Sequence, residues 1–183
     1  MSTPTPAHVA QPVTAPHRPL RVMAVLPPRE RFAAAEAGAI ALLVHRMAGA
    51  GEVVVGSAPV TRAFADVPFV PVPPALFALG TMGRDRAGVA RLVGSIRPDL
   101  VEVHNRPDLA LAISRRFPHM PLVLVLHNDP CGMRGAKTAR ERTVLAGKMA
   151  VVTVSGWLRA RFLAQGAQGC VTVLPNALDL AAL

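Results

Sequence analysis

The sequence predicts an α/β fold: a single doubly wound, mostly parallel sheet of about seven strands with helices on both faces. Three observations carry this. Short apolar runs, most of them ended by proline, asparagine or a charged residue, recur along the chain. Segments with a helical apolar stripe lie between several of them. Strand and helix alternate rather than grouping, which calls for right-handed crossovers and a parallel sheet covered on both faces.

The elements follow in order. Residues 1–19 (MSTPTPAHVAQPVTAPHRP) form a Pro/Thr/Ala-rich tail, expected to be disordered because proline at this density prevents regular structure. The tail lacks the basic start and apolar block of a secretory signal. RVMAVLP (21–27) suits a strand buried on both faces. Ile40, Leu43, Val44 and Met47 then repeat at i, i+3, i+4 and i+7, the stripe of an amphipathic helix. EVVVGS (52–57) reads as a second strand, and VPFVPV (67–72) as a third, so proline-rich that it belongs at an edge. Val89, Leu92, Val93 and Ile96 repeat the helical stripe. DLVEVHN (99–105) makes a fourth strand, with Pro107 suited to open a short helix to Arg116. LVLVLHND (122–129) is a fifth strand, followed by a basic helical segment carrying Arg134, Lys137, Arg140, Arg142 and Lys148. AVVTVS (150–155) is a sixth, with Ser155 placed to cap a helix running from Gly156 to about Gln165. VTVLPN (171–176) is the seventh.

Composition narrows the function classes. The chain has 183 residues, 51% of them hydrophobic, enough for one domain with a real core. Cys131 and Cys170, far apart, exclude a disulfide scaffold or a Cys-rich zinc module and suit a reducing compartment. The 20 basic against 11 acidic residues give a net charge of +9, nearly all from arginine; only Lys137 and Lys148 are lysines. Such a surface attracts polyanions. Basic residues are not interleaved with stacking aromatics and no reading motif is present, which argues against nucleic acid. No stretch reaches the ~18 uninterrupted apolar residues of a membrane span. Phosphorylated small molecules and anionic lipid remain open.

In an open parallel sheet, ligands bind beyond the carboxyl ends of the strands at the switch in strand order. With the order 3-2-1-4-5, that crevice lies between the first and fourth strands. Its walls would be the loop 27–38 and the turn His104–Asn105–Arg106, with His127–Asn128–Asp129 beside them. The loop carries Arg29, Glu30 and Arg31 before Gly38 and Ala39 open the helix. Backbone N–H groups at a helix start bind anions, and a glycine lets a phosphate come close. No G-x-G-x-x-G follows the first strand, against a standard dinucleotide enzyme. Gly38 could also serve packing alone. Glu102 and His104 share one strand face. They could orient a proton-transfer group, or Glu102 could pair with Arg97 or Arg106. His127 ends an apolar run where the strand meets the crevice. Cys131 has no assignable base and reads as a bystander. Ser155 lacks the context of a hydrolase elbow. The six histidines show no metal-ligand spacing.

Taken together, four segments resemble the N-terminal domain of family 4 glycosyltransferases, retaining sugar-nucleotide enzymes built from two Rossmann-like domains. They are RVMAVLPPRERF…AGAIALLVHRMA, PDLVEVHNRP (98–107), LVLVLHND (122–129), and VVTVSGWLRARFL followed by VTVLPNALDL. The last pair is similar to the family's V-S-x-x-x-x-x-x-F and P-N-G-x-D segments. Two positions depart: Gly38–Ala39 stands where the family often has Gly-Gly, and Ala177 replaces the glycine of P-N-G-x-D in Pro175–Asp179.

The resemblance implies a Rossmann-like acceptor-side domain over 20–183, ending at an inter-domain linker. His127 would lie near the reacting sugar and Gly38–Ala39 near the donor phosphates. Arg31, Glu102, His104, Asn105, Arg106 and Asn128 would meet the acceptor. The donor, a nucleotide sugar, would be a substrate, with no cofactor or metal needed. In the family, a second domain with an E-x7-E pair holds most of the donor and follows the P-N-G-x-D segment. The chain alone is therefore expected to be inactive: a fragment, a truncated product, or a subunit whose partner chain brings the donor domain. The expected acceptor is a glycan or lipid-linked precursor of the cell envelope. The protein is expected in the cytoplasm, peripheral on the inner membrane face if attached, with segment 134–148 against anionic lipid or a phosphorylated acceptor, or simply a solvated helix face. The alternative is a non-catalytic Rossmann-like binding or regulatory module.

Overall fold

The computed structural model describes residues 18–73 and 80–176. The expectations for most of the tail 1–19 and for Ala177–Asp179 lie outside the described residues. Seven strands form one wholly parallel sheet: β1 (Val22–Val25), β2 (Glu52–Gly56), β3 (Phe69–Pro71), β4 (Leu100–His104), β5 (Leu122–Leu126), β6 (Ala150–Thr153) and β7 (Val171–Val173). Their order is β3-β2-β1-β4-β5-β6-β7, so the strand order switches between β1 and β4 as anticipated. The proline-bearing β3 is an edge, where a missing N–H costs no ladder bond. Each observed strand is shorter than its apolar run, because the terminal residues turn away from the ladder.

Handedness decides where the helices go. From β1 to β2 the chain moves one way across the sheet, and from β3 through β4 to β7 it moves the other way. Right-handed crossovers therefore place α1 (Ala39–Met47) on one face. They place α2 (Gly80–Ile96), α3 (Pro107–Arg116), α4 (Ala139–Lys148) and α5 (Gly156–Leu163) on the other. The larger core confirms this, joining Met23, Val101, Val103, Leu124 and Val151 of the sheet to Val93, Ile113, Leu145 and Phe162 of the four helices. A smaller core under α1 holds Ala24, Leu26, Phe32, Ala41, Val44 and Val54. β1 is thus buried on both faces. Helices lie on both faces as the alternation predicts, but unequally: the connection from β2 to β3 is a loop. Over β4 to β7, α1's face carries no helix among the described residues.

This asymmetry explains two apolar stripes that looked alike. In α2, Val89, Leu92 and Val93 are buried and Ile96 packs against them. In α1, Ala41 and Val44 fill the core, while Met47 is 58% exposed at the margin of the pocket that His104 lines. The caps are as read: Pro107 opens α3, and the Ser155 hydroxyl accepts from Leu158 N at 3.2 Å. α4 begins with a capping box between Thr138 and Glu141. Its basic segment is not one solvated face, because Arg142 is fully buried. That guanidinium donates to the carbonyls of Phe162 (2.6 Å), Ala136 (3.0 Å), Lys137 (2.9 Å) and Ala164 (2.6 Å), stapling the chain before α4 to the end of α5.

Candidate functional site

The histidines lie on α1's face of the sheet, at the ends of β4 and β5. Period-two alternation sends Val101 and Val103 into the larger core and Glu102 and His104 to α1's face, and β5 does the same for His127, one residue past its end. The register pairs His104 with Val125, bringing the two imidazoles together. His104 Nδ1 and His127 Nε2 lie 3.0 Å apart, a hydrogen bond with one proton between them. His104 is only 4% exposed. Burial, and then the neighbouring His127, hold it down to about 3, and burial holds His127 down to about 4. Both rings are neutral at neutral pH. Whichever donates, His127 spends Nε2 on His104 and keeps Nδ1 for any other contact.

Glu102 Oε2 stands 3.9 Å from His104 Nε2, beyond a hydrogen bond, and that nitrogen has no partner among the described residues. Burial, and then Glu52, push the Glu102 carboxyl up. Arg106, offered by the sequence as a partner for Glu102, pairs instead with Asp85 (2.6 Å) and Asp108 (3.3 Å). Arg86 reaches the same Asp108 at 2.9 Å, completing an ion-pair chain between α2 and α3.

Asn105 holds the two strand ends together. Its backbone is left-handed (φ 53°), a conformation asparagine tolerates better than most residues. Its Oδ1 accepts from His127 N at 2.8 Å and Asn128 N at 3.3 Å, while its own N–H donates to Val125 O at 2.8 Å. Its side-chain oxygen therefore positions His127. Asn128 is exposed just beyond it.

The glycine loop is already furnished with an anion. Glu30 Oε2 accepts from Ala41 N at 3.1 Å in the first turn of α1. A Cβ added at Gly38 would come within 2.6 Å of Glu30 Oε1, so the glycine admits the protein's own carboxylate. Arg31 turns back to the Pro28 carbonyl (2.8 Å) and bridges to Ser57 instead of reaching the strand-end turn. Sequence reading noted Glu30 in the loop but not this seat, which needs the loop's path.

One predicted crevice becomes two concavities on either side of β4. Glu102, His104 and His127 line a pocket of about 120 Å³ on α1's face, with Leu43 and Met47 of α1 and Leu174 after β7 as apolar walls. Asn105 and Arg106, with Pro28, Asp108 and Arg134, line another of about 250 Å³ at the start of α3. Both are below the roughly 300–1,000 Å³ of complete small-molecule sites. Neither encloses a substrate.

Comparison with known proteins places this geometry. The fold is similar to that of Anabaena Alr3699/HepE solved in complex with UDP and glucose (TM-score 0.62, 17% identity). It is also similar to UDP-N-acetylglucosamine 2-epimerase from Rickettsia bellii (TM-score 0.51, 14% identity). The alignments cover 88% and 86% of this chain but 46% and 45% of those chains, so it spans a little under half their length. A search of curated proteins by sequence returned no match. The family model for Glycosyltransferase Family 4 matches residues 39–182, most of the chain. The chain therefore belongs to glycosyltransferase family 4.

Proposed function

We propose that this chain is the acceptor-binding half of a glycosyltransferase, moving a sugar from a nucleotide-sugar donor to a glycan or lipid-linked acceptor. The observation that carries this reading is the His104–His127 pair, fixed at the carboxyl edge of the sheet and opening into a pocket too small to be a whole site. A site of this kind works by holding two substrates in register, and one wall leaves most of that positioning undone. His127, neutral and oriented by His104 and Asn105, suits hydrogen bonding to a sugar hydroxyl rather than proton donation by an imidazolium. Gly38 and Ala39 would meet donor phosphates only after Glu30 vacates the first turn of α1. Lipid-linked acceptors and a place on the cytoplasmic membrane face remain part of this proposal. No described helix is long and apolar enough to cross a membrane.

The seat of Glu30 favours a second reading, a binding or regulatory module that takes no donor phosphate. One experiment separates them. UDP-glucose is titrated into the chain while His127 ring resonances and hydrolysis or transfer are followed. The proposal expects weak binding that shifts α1 resonances, with no turnover by the chain alone. Robust transfer by the pure chain would refute the half-site reading, and total silence of α1 would favour the second one.

A further inference from the structure

The chain's single tryptophan is unexplained by the proposed chemistry. Trp157 lies in the first turn of α5, directly beyond the carboxyl end of β6, and is 61% exposed. An indole buries 150–250 Å² when it finds a partner, so leaving it bare forgoes a large apolar contact. Its orientation is set by neighbours. The Arg161 guanidinium lies over the ring, with Cζ 5.8 Å from its centroid. Arg161 is itself held by Asp129, whose Oδ2 accepts from Nε at 3.0 Å and from Nη2 at 2.8 Å. Asp129 is fixed in turn by accepting from Cys131 N at 2.9 Å.

The result is a flat apolar surface with one side occupied by a cation, flanked by a carboxylate and a guanidinium that both remain partly exposed. Asp129 is the second residue after His127, so this surface continues the edge on which the histidine pair sits. We propose that Trp157, with Arg161 and Asp129, is a stacking platform for a pyranose ring of the acceptor. A pyranose presents an apolar C–H face bounded by hydroxyls. The indole's free face matches the sugar's C–H face, while the partly exposed Asp129 carboxylate accepts from a hydroxyl and Arg161 backs the other face of the ring. A nucleoside diphosphate fits less well, because its phosphates would approach the Asp129 carboxylate. This inference rests on the acceptor reading for its ligand class, and it adds a site beside the histidine pair.

The chain also has no tyrosine, so its near-ultraviolet emission reports Trp157 alone. The full chain is titrated with methyl glucosides, galactosides and mannosides and their disaccharides, in the range of about 1–100 mM suited to a single subsite. Saturation transfer from protein to sugar C–H protons is recorded in parallel. At least one sugar is expected to change the emission saturably. Saturation transfer to that sugar should fall about tenfold in W157A and less than about threefold in W157F, which keeps a ring to stack on. D129N should weaken binding without abolishing the emission change. Emission unmoved by every sugar, or transfer equal in W157A and wild type, overturns the platform. So does emission that answers anionic vesicles but no sugar, which would make Trp157 a membrane anchor. No donor is present, so failure here leaves the transferase reading standing, and failure to bind UDP-glucose leaves the platform standing.

Discussion

Asn105 offers the sharpest test of how the strand ends position His127, because its two roles can be removed separately. Asn105→Gly keeps the left-handed backbone but deletes the acceptor for His127 N–H and Asn128 N–H. The Asn128 N–H can turn to water; the part-buried His127 N–H cannot do so fully, at a cost of about 1–2 kcal/mol. Backbone freedom in the unfolded chain adds about 0.5–1 kcal/mol. Asn105→Ala deletes the same acceptor and also replaces asparagine with a residue that lacks its tolerance of left-handed backbone at φ 53°, adding about 1–2 kcal/mol in place of the glycine term. Asn105→Asp keeps both the oxygen and the tolerance and should stay within about 1 kcal/mol. The expected order of destabilisation is Asp, then Gly, then Ala, with Ala losing about 2–4 kcal/mol. For a chain of this size, that lowers Tm by roughly 4–16 °C. Urea unfolding followed by circular dichroism measures the series, and the His127 ring resonances should move in the Ala and Gly variants but hardly in Asp. If Ala lies within about 0.5 kcal/mol of wild type, or if its His127 signals stay put, the clamp is wrong.

Three other outcomes follow from the same geometry. Arg142→Met strands the Phe162 and Ala136 carbonyls in the interior at about 1–3 kcal/mol each. A loss of about 2–6 kcal/mol in urea unfolding is expected, with Arg142→Lys intermediate; a loss under 1 kcal/mol would mean water replaces the staple. Stability should fall in mild acid. His104 is held down to about 3 when folded against 6.5 when exposed, so its contribution is complete above pH 6.5 and is lost progressively as pH falls toward 3. At pH 5 the His104 share is about 2 kcal/mol, and His104→Gln should lose less stability between pH 7 and 5 than wild type; equal losses would contradict this. Finally, Glu30→Ala removes a carboxylate from the start of α1, costing roughly 0.3–1 kcal/mol, and should raise affinity for UDP-glucose in calorimetric titration. Unchanged or weaker affinity would separate Glu30 from the phosphate seat.

Much of this was legible in the residues themselves. Apolar runs and helical stripes are local properties, and alternation with handedness then leaves few topologies open. That is how the strand order around β1 and β4, the proline-bearing edge strand and the sharing of one face by Glu102 and His104 could be read in advance. Period two told which side each strand residue takes, but not what covers that side. The stripes of α1 and α2 look alike in sequence, yet that of α2 packs into the larger core while that of α1 ends in the exposed Met47. Only the path of the chain decides that, since β2 reaches β3 without a helix.

The same limit governs the site. Strand-end polar residues were gathered into one crevice by sequence, but His104 and Asn105 line separate concavities, because the left-handed backbone of Asn105 breaks the strand's alternation. Contacts between residues distant in the chain were beyond reach: Glu30 on Ala41, Arg142 on Phe162, His104 on His127, Arg161 on Asp129. By itself, the sequence determined the fold class and which residues stand at the carboxyl edge of the sheet, because spacing and handedness are written locally. Tertiary structure alone decided which charges are spent on partners and which aromatic stays bare, because a side chain's partners are set by where the sheet brings other strands.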